Sequence, residues 1–212
     1  MLLGFIICGV IIAIFIFIFT LYFKKLKNNR NSWEDTADHL GLELQESSNP
    51  LFKPMEGIYK DYRVRISNQR IPTGESDYDS FTICEVYLPT KLDFIFQVLS
   101  AYSFIQTLAS KIGMGDFEIG IPGFDKSFRI GCSDNDKISD LLCVDLENGR
   151  TQNLLTELLL IKKSFPEVKI THELAYLKEK GELINVMEIE SLIDSTIYLA
   201  QRIDSARKKM EG

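Results

Sequence analysis

The chain has 212 residues, a formal net charge of −6 and only two histidines. None of its 30 acidic residues and only four of its 24 basic ones fall within the first thirty positions, so the remainder is strongly acidic. A body of that sign repels phosphate, which argues against nucleic-acid binding, and about 180 residues beyond the first thirty suit one core better than two.

Leu2 to Phe23 contains no charged residue, and sixteen of its positions are Leu, Ile, Phe or Val. As a helix rising about 1.5 Å per residue it would reach about 33 Å, the thickness of a bilayer core. The run is too long for a signal peptide, has no basic segment before it and no small-residue cleavage site after it. The expectation is therefore an N-terminal transmembrane helix over 1–23 and a basic juxtamembrane linker over 24–31. Lys24, Lys25, Lys27 and Arg30 set its topology and, on the same reading, contact lipid. The expected localisation is the cell membrane, single-pass, with the N-terminus outside and the domain over 32–212 cytoplasmic.

Ser32 reads as the cap of a short helix carrying Trp33, Ala37 and Leu40 on one face, stopped by Gly41. Leu42 and Leu44 then alternate as a strand begins. Ile58 to Ile66 reads as a hairpin in which Tyr62, Val64 and Ile66 point one way and Arg63 and Arg65 the other. Residues 67–79 are polar and read as a loop, Phe81 to Leu88 as a strand, Leu92 to Leu99 mostly as strand, and 104–111 as a helical patch. Gly113 to Gly115 and Ile121 to Gly123 read as turns around a short strand at Phe117, and Lys126 to Cys132 as another strand.

A helix follows Ser133 and Asp134 with Ile138, Leu141 and Leu142 inward. A second carries Leu154, Leu155, Leu158, Leu159 and Ile161. Val168 to Thr171 and Leu174 to Leu177 form a strand pair, closed by Gly181. The last helix, 188–209, buries Ile189, Leu192, Ile193, Thr196, Ile197, Ala200 and Ile203. Within it Leu192, Thr196, Leu199, Ile203, Ala206 and Met210 keep 4-3 spacing. That stripe serves either its own sheet or a coiled-coil-like seam with a partner. Hairpins interrupted by grouped helices indicate an α+β domain with a largely antiparallel sheet.

Chemistry is sparse. The four cysteines lack C-x-x-C spacing, and Cys84 and Cys143 read as buried free thiols. His172 beside Glu173, and His39, have no nucleophile near them in sequence. Asp134, Asp136 and Asp140 are the candidate metal ligands, but Ile138 stands at a ligand position of a calcium loop and the loop glycine is missing, so helix capping accounts for them. Gly113, Gly115, Gly120 and Gly123 lie among acids, with no P-loop Lys-Ser/Thr pair. No catalytic residue and no cofactor are assigned.

The stretch Asp116–Gly120, then Phe124-Asp125-Lys126-Ser127-Phe128-Arg129-Ile130, then Asp134 and Leu141-Leu142, resembles a group of uncharacterised prokaryotic membrane-associated domains. These carry a short strand, F-D-x-x-F-x-V/I, an acidic helix start and L-L. Trp33…Ala37…Leu40-Gly41-Leu42 and Glu56-Gly57-Ile58-Tyr59 fit the same pattern. The resemblance implies no activity. Read on their own terms, Phe124 and Phe128 are core anchors and Asp125 holds a turn. The expected function is a protein-binding or self-assembling module whose partners are the membrane, another protein or a second copy. The alternatives are a membrane-tethered enzyme, metal-assisted through the Asp134 cluster, and a lipid-sensing module using the basic neck.

Overall fold

The structure, a computed structural model, describes residues 2–47, 53–72, 77–101, 116–146 and 152–211, with side chains from residue 14 onward apart from 26 and 116. The chain begins with α1, Leu2–Leu40, then β1 Glu43–Leu44, β2 Met55–Tyr59, β3 Tyr62–Pro72, β4 Tyr78–Tyr87, β5 Phe96–Ser100 and β6 Asp116–Phe117. It continues with α2 Pro122–Ser127, β7 Phe128–Cys132, α3 Asn135–Cys143, α4 Leu154–Ser164, β8 Glu167–Thr171, β9 Leu174–Lys180 and α5 Val186–Glu211. Among the described residues the strands form one nine-stranded sheet in the order β1-β2-β3-β4-β9-β8-β5-β7-β6. Every pairing in it is antiparallel. The α+β class and the antiparallel sheet agree with the sequence pattern.

The transmembrane helix does not. Among the described residues no helix is long and apolar enough to cross a membrane. Nor does the basic stretch end the helix: α1 passes through Lys24 to Arg30 without a break and is one 39-residue element. The short helix expected from Ser32 is simply its last part, so Ser32 caps nothing and instead its carbonyl accepts from the Thr36 hydroxyl at 2.7 Å. The single-pass, N-outside assignment and the membrane anchor are withdrawn with it.

The end of α1 belongs to the domain. Trp33 and Ala37 are buried with Leu40, and the Trp33 indole donates to the Lys53 carbonyl at 2.7 Å. Gly41, at φ 66°, terminates the helix, and the Leu42 amide reaches back to the Ala37 carbonyl at 2.9 Å. The corner sits tight against β2: a Cβ on Gly57 would lie 3.0 Å from Leu42 Cδ2, so a larger residue there would make the Leu42 side chain shift. Ile14 to Phe23, by contrast, stands clear of the domain, its large side chains all more than half exposed.

β2 and β3 turn through Lys60 and Asp61, both at positive φ, the conformation of a two-residue hairpin that follows strand twist. β3 then continues well past Ile66, pairing with β4 from Val64↔Val86 to Pro72↔Tyr78, where a polar loop was expected. Alternate residues of each strand face the helices: Val64, Ile66, Cys84, Val86, Ala175, Leu177, Val168, Ile170, Val98 and Ile130 are buried in one cluster with α3, α4 and α5. The expected inward set of α5 is buried throughout. Leu192, Thr196, Leu199, Ile203 and Ala206 are buried with it, so the 4-3 stripe is consumed by the domain itself rather than offered as a coiled-coil seam.

Ile121 to Gly123 is not a plain turn but the entry to α2, with Pro122 in its first turn. Phe124 and Phe128 are buried and stacked, centroids 4.8 Å apart, while the Asp125 carboxylate accepts from the Ile119 and Gly120 amides at 3.1 and 3.0 Å. The expected helical patch at 104–111 and the Gly113–Gly115 turn lie outside the described residues.

Of the thiols, Cys84 is fully buried and Cys143, contrary to expectation, is exposed, because it occupies the last position of α3 on the side away from Ile138, Leu141 and Leu142. Burial pushes the Cys84 thiol up to about 12. The Tyr176 phenol is raised too, first by burial and then by the carboxylates of Glu167 and Glu85. Both groups are neutral in the fold. In the unfolded chain they ionise from their ordinary values, 9.0 and 10.0, so their stabilisation is complete below pH 9 and is lost as pH rises towards the folded values. Thermal unfolding followed by circular dichroism is expected to show a falling midpoint between about pH 8.5 and pH 10.5. Cys84→Ala, less stable at neutral pH, is expected to show a shallower fall; an equal slope would mean Cys84 takes no part.

Candidate functional site

On the surface formed by α4 and α5, the two helices leave an open groove of about 740 Å³. Each contributes one stripe at helical spacing. From α4 come Glu157, Leu160, Ile161 and Ser164. From α5 come Met187, Glu190, Ser191, Asp194, Ser195 and Tyr198, with Phe165 closing the end. A second hollow of about 430 Å³ continues past Phe165, Met187 and Ser191 to Leu183 and the end of β9.

The helices are fixed at the ends that shape the groove. Asn153 caps α4, its side-chain oxygen accepting from the Thr156 amide at 2.9 Å. Lys162 reaches the Pro166 carbonyl at 2.6 Å past the last turn. Asn185 accepts from the Met187 amide at 2.9 Å at the start of α5. With Leu154, Leu155 and Leu158 turned into the core, Leu160 has no room there and is 48% exposed; Met187 is 76% and Tyr198 42% exposed. These three are the large apolar surfaces available to a ligand.

Acids line the same groove. Lys60, from the β2–β3 turn, holds Asp194 through both carboxylate oxygens at 2.7 and 2.9 Å. That bond raises the Lys60 ammonium against some burial. Tyr59 donates to Glu190 across 3.4 Å, and burial pushes its phenol up despite the neighbouring Lys60. Glu157 is the deep member, its side chain 5% exposed, with Arg202 Nη2 3.2 Å from Oε1. The Arg202 guanidinium also lies over the Tyr198 ring at 5.9 Å. The arrangement offers apolar contact and negative charge side by side. It holds no nucleophile and base in contact.

The sequence-derived candidates lie elsewhere and are not gathered. Asp134 caps α3, accepting from the Lys137 amide at 3.0 Å, Asp136 lies in the first turn, and the Asp140 carbonyl accepts from the Val144 amide. Among the described residues no three His, Cys, Asp or Glu side chains are grouped to hold a metal ion. Cys132 donates to Asn135 at 3.1 Å. His172 follows β8, across β5 from β7, so its backbone lies about 10 Å from that of Cys132 by strand spacing. Its Nε2 is 3.5 Å from Glu173. Gly120 adopts φ 86° beside Asp125 and Gly123 lies in α2; neither faces a phosphate-sized cradle of basic groups. Lys24, Lys25 and Lys27 are exposed on α1, and Arg30 pairs with Glu34 at 2.8 Å.

The sequence carried one sign of the groove. α4 has apolar residues at 154, 155, 158, 159, 160 and 161, more than a single buried face requires, with Glu157 among them.

No protein-family model matches the chain, and no curated protein matches it. Among solved structures it is similar to the crystal structure of the mycobacterial trehalose monomycolate transport factor A, TtfA. The identity is 12% and the TM-score 0.49, over 86% of this chain and 94% of that one.

Proposed function

We propose that the domain is a protein-binding module and that the α4–α5 groove is where the partner docks. The observation that carries this reading is the exposure of Leu160, Met187 and Tyr198 along one concave strip while the other large apolar residues of both helices are buried or partly buried. A helix laid into a groove presents anchors at i, i+3 or i+4, and i+7, which is the spacing of the lining residues here. Concave apolar surface with a few polar groups at its margin is the usual form of a recognition site.

The test uses a labelled amphipathic peptide of about fourteen residues built from leucine and lysine, titrated against the full chain by fluorescence anisotropy. Saturable binding is expected, weakened about tenfold by Leu160→Asp or Met187→Asp, since each replaces an apolar anchor by a charge. Both positions are exposed, so the fold is retained. Binding that ignores both substitutions, or no binding at all, removes the groove from consideration.

A further inference from the structure

Glu157 is unusual for a groove wall. It is almost wholly buried, yet Oε1 accepts no hydrogen bond. Arg202 is near enough to attract it, but Nη2 is not aligned to donate, and Nε and Nη2 are themselves without a hydrogen bond. Buried charged atoms are ordinarily bonded, and a pair left half-satisfied invites a further partner. Among the described residues Glu190 receives only the long Tyr59 contact, and the lysine and arginine nearest the groove, Lys60 and Arg202, reach Asp194 and Glu157 from its margin rather than lining it. The groove therefore has apolar walls, an Asp194 already held by Lys60, and two carboxylates, Glu157 and Glu190, whose bonding is incomplete.

Resting on the docking role of this groove, we propose that its occupant is a segment of a partner protein carrying a lysine or arginine between apolar side chains. Glu157, with Glu190 in the same groove, receives that cation. Partial exclusion of water strengthens the attraction relative to an exposed pair. An acidic segment is turned away by these two carboxylates, so the site discriminates by sign as well as by shape. Arg202, lying beside Tyr198 at the groove's edge, yields part of its hold on Glu157 when the partner's cation arrives.

The discriminating probe is the leucine–lysine peptide compared with the same peptide acetylated on every lysine, which keeps length and removes charge. On the full chain, acetylation is expected to weaken binding about tenfold. In Glu157→Gln/Arg202→Gln, where both buried charges are removed together and the fold is spared an unpaired ion, the difference is expected to shrink to about threefold or less. Glu190→Gln, a milder change at the groove surface, is expected to shrink it in part. Glu43→Gln, on exposed β1 far from the groove, is expected to leave it unchanged. Equal binding of the two peptides overturns the cation seat while leaving the docking groove standing. An unchanged preference in both Glu157→Gln/Arg202→Gln and Glu190→Gln overturns it as well. Failure of both peptides to bind overturns the groove itself.

Discussion

Trp33→Ala is expected to destabilise the protein by about 3–5 kcal/mol. Trp33 is 1% exposed and packs with Ala37, Leu40, Leu42 and Met55 in the core, so truncation opens a large apolar cavity beneath the end of α1. It also removes the donor to the Lys53 carbonyl, the bond that ties α1 to the segment entering β2. Trp33→Phe, which keeps most of the apolar volume and loses the N–H, separates the two contributions and is expected to cost about 1–2 kcal/mol. Guanidinium unfolding monitored by circular dichroism is the measurement, because Trp33 is the chain's one tryptophan and fluorescence would vanish with it. A midpoint shift with unchanged denaturant slope is expected. A loss below about 1 kcal/mol for Trp33→Ala would mean that the end of α1 is not part of the cooperative unit.

That expectation rests on a connection the sequence did not display. A count of apolar residues over Leu2–Phe23 registers one run and the basic stretch after it, and reads the two as an anchor and its stop. What it does not register is that helical backbone persists through Lys24–Arg30, where the lysines, Leu26 and Arg30 favour helix and outweigh Asn28 and Asn29, until Gly41 ends it. The stop signal was legible at Gly41 and the buried face at Trp33, Ala37 and Leu40; the start of that helix was not.

Strand recognition failed for a related reason. Ser67, Asn68, Gln69 and Arg70 carry little intrinsic β preference, yet they lie in β3 because each pairs with β4, Asn68 opposite Thr82 and Gln69 opposite Phe81. Cross-strand pairing, invisible to a local reading, overrode composition. Where pattern and packing coincide, as in Val64 and Ile66 or in Ile189 through Ile203, the inward residues were identified correctly. The groove lay beyond reach because it is a property of two helices together. Leu160 and Met187 are 27 positions apart in the chain and meet only when α4 and α5 pack.

The Glu157–Arg202 pair joins these levels, since it bears on stability and on the groove at once. Arg202→Gln is expected to cost about 3–5 kcal/mol, because Glu157, with a side chain 5% exposed, is left as a buried carboxylate with no compensating cation. Glu157→Gln is expected to cost less, since Arg202 is 15% exposed and its long side chain has a route to water past Tyr198. Glu157→Gln/Arg202→Gln, which removes both charges, is expected to recover most of the loss. The coupling in a double-mutant cycle would then be about 2–3 kcal/mol. Unfolding of all four proteins in urea at neutral pH supplies the cycle. Additive single effects would show that the two ions do not sense one another, despite the 3.2 Å between Nη2 and Oε1. A strongly coupled pair whose hydrogen bonds are nevertheless incomplete is what a partner's cation can exploit: it meets a carboxylate already stripped of water and held in place, so little further desolvation opposes its arrival.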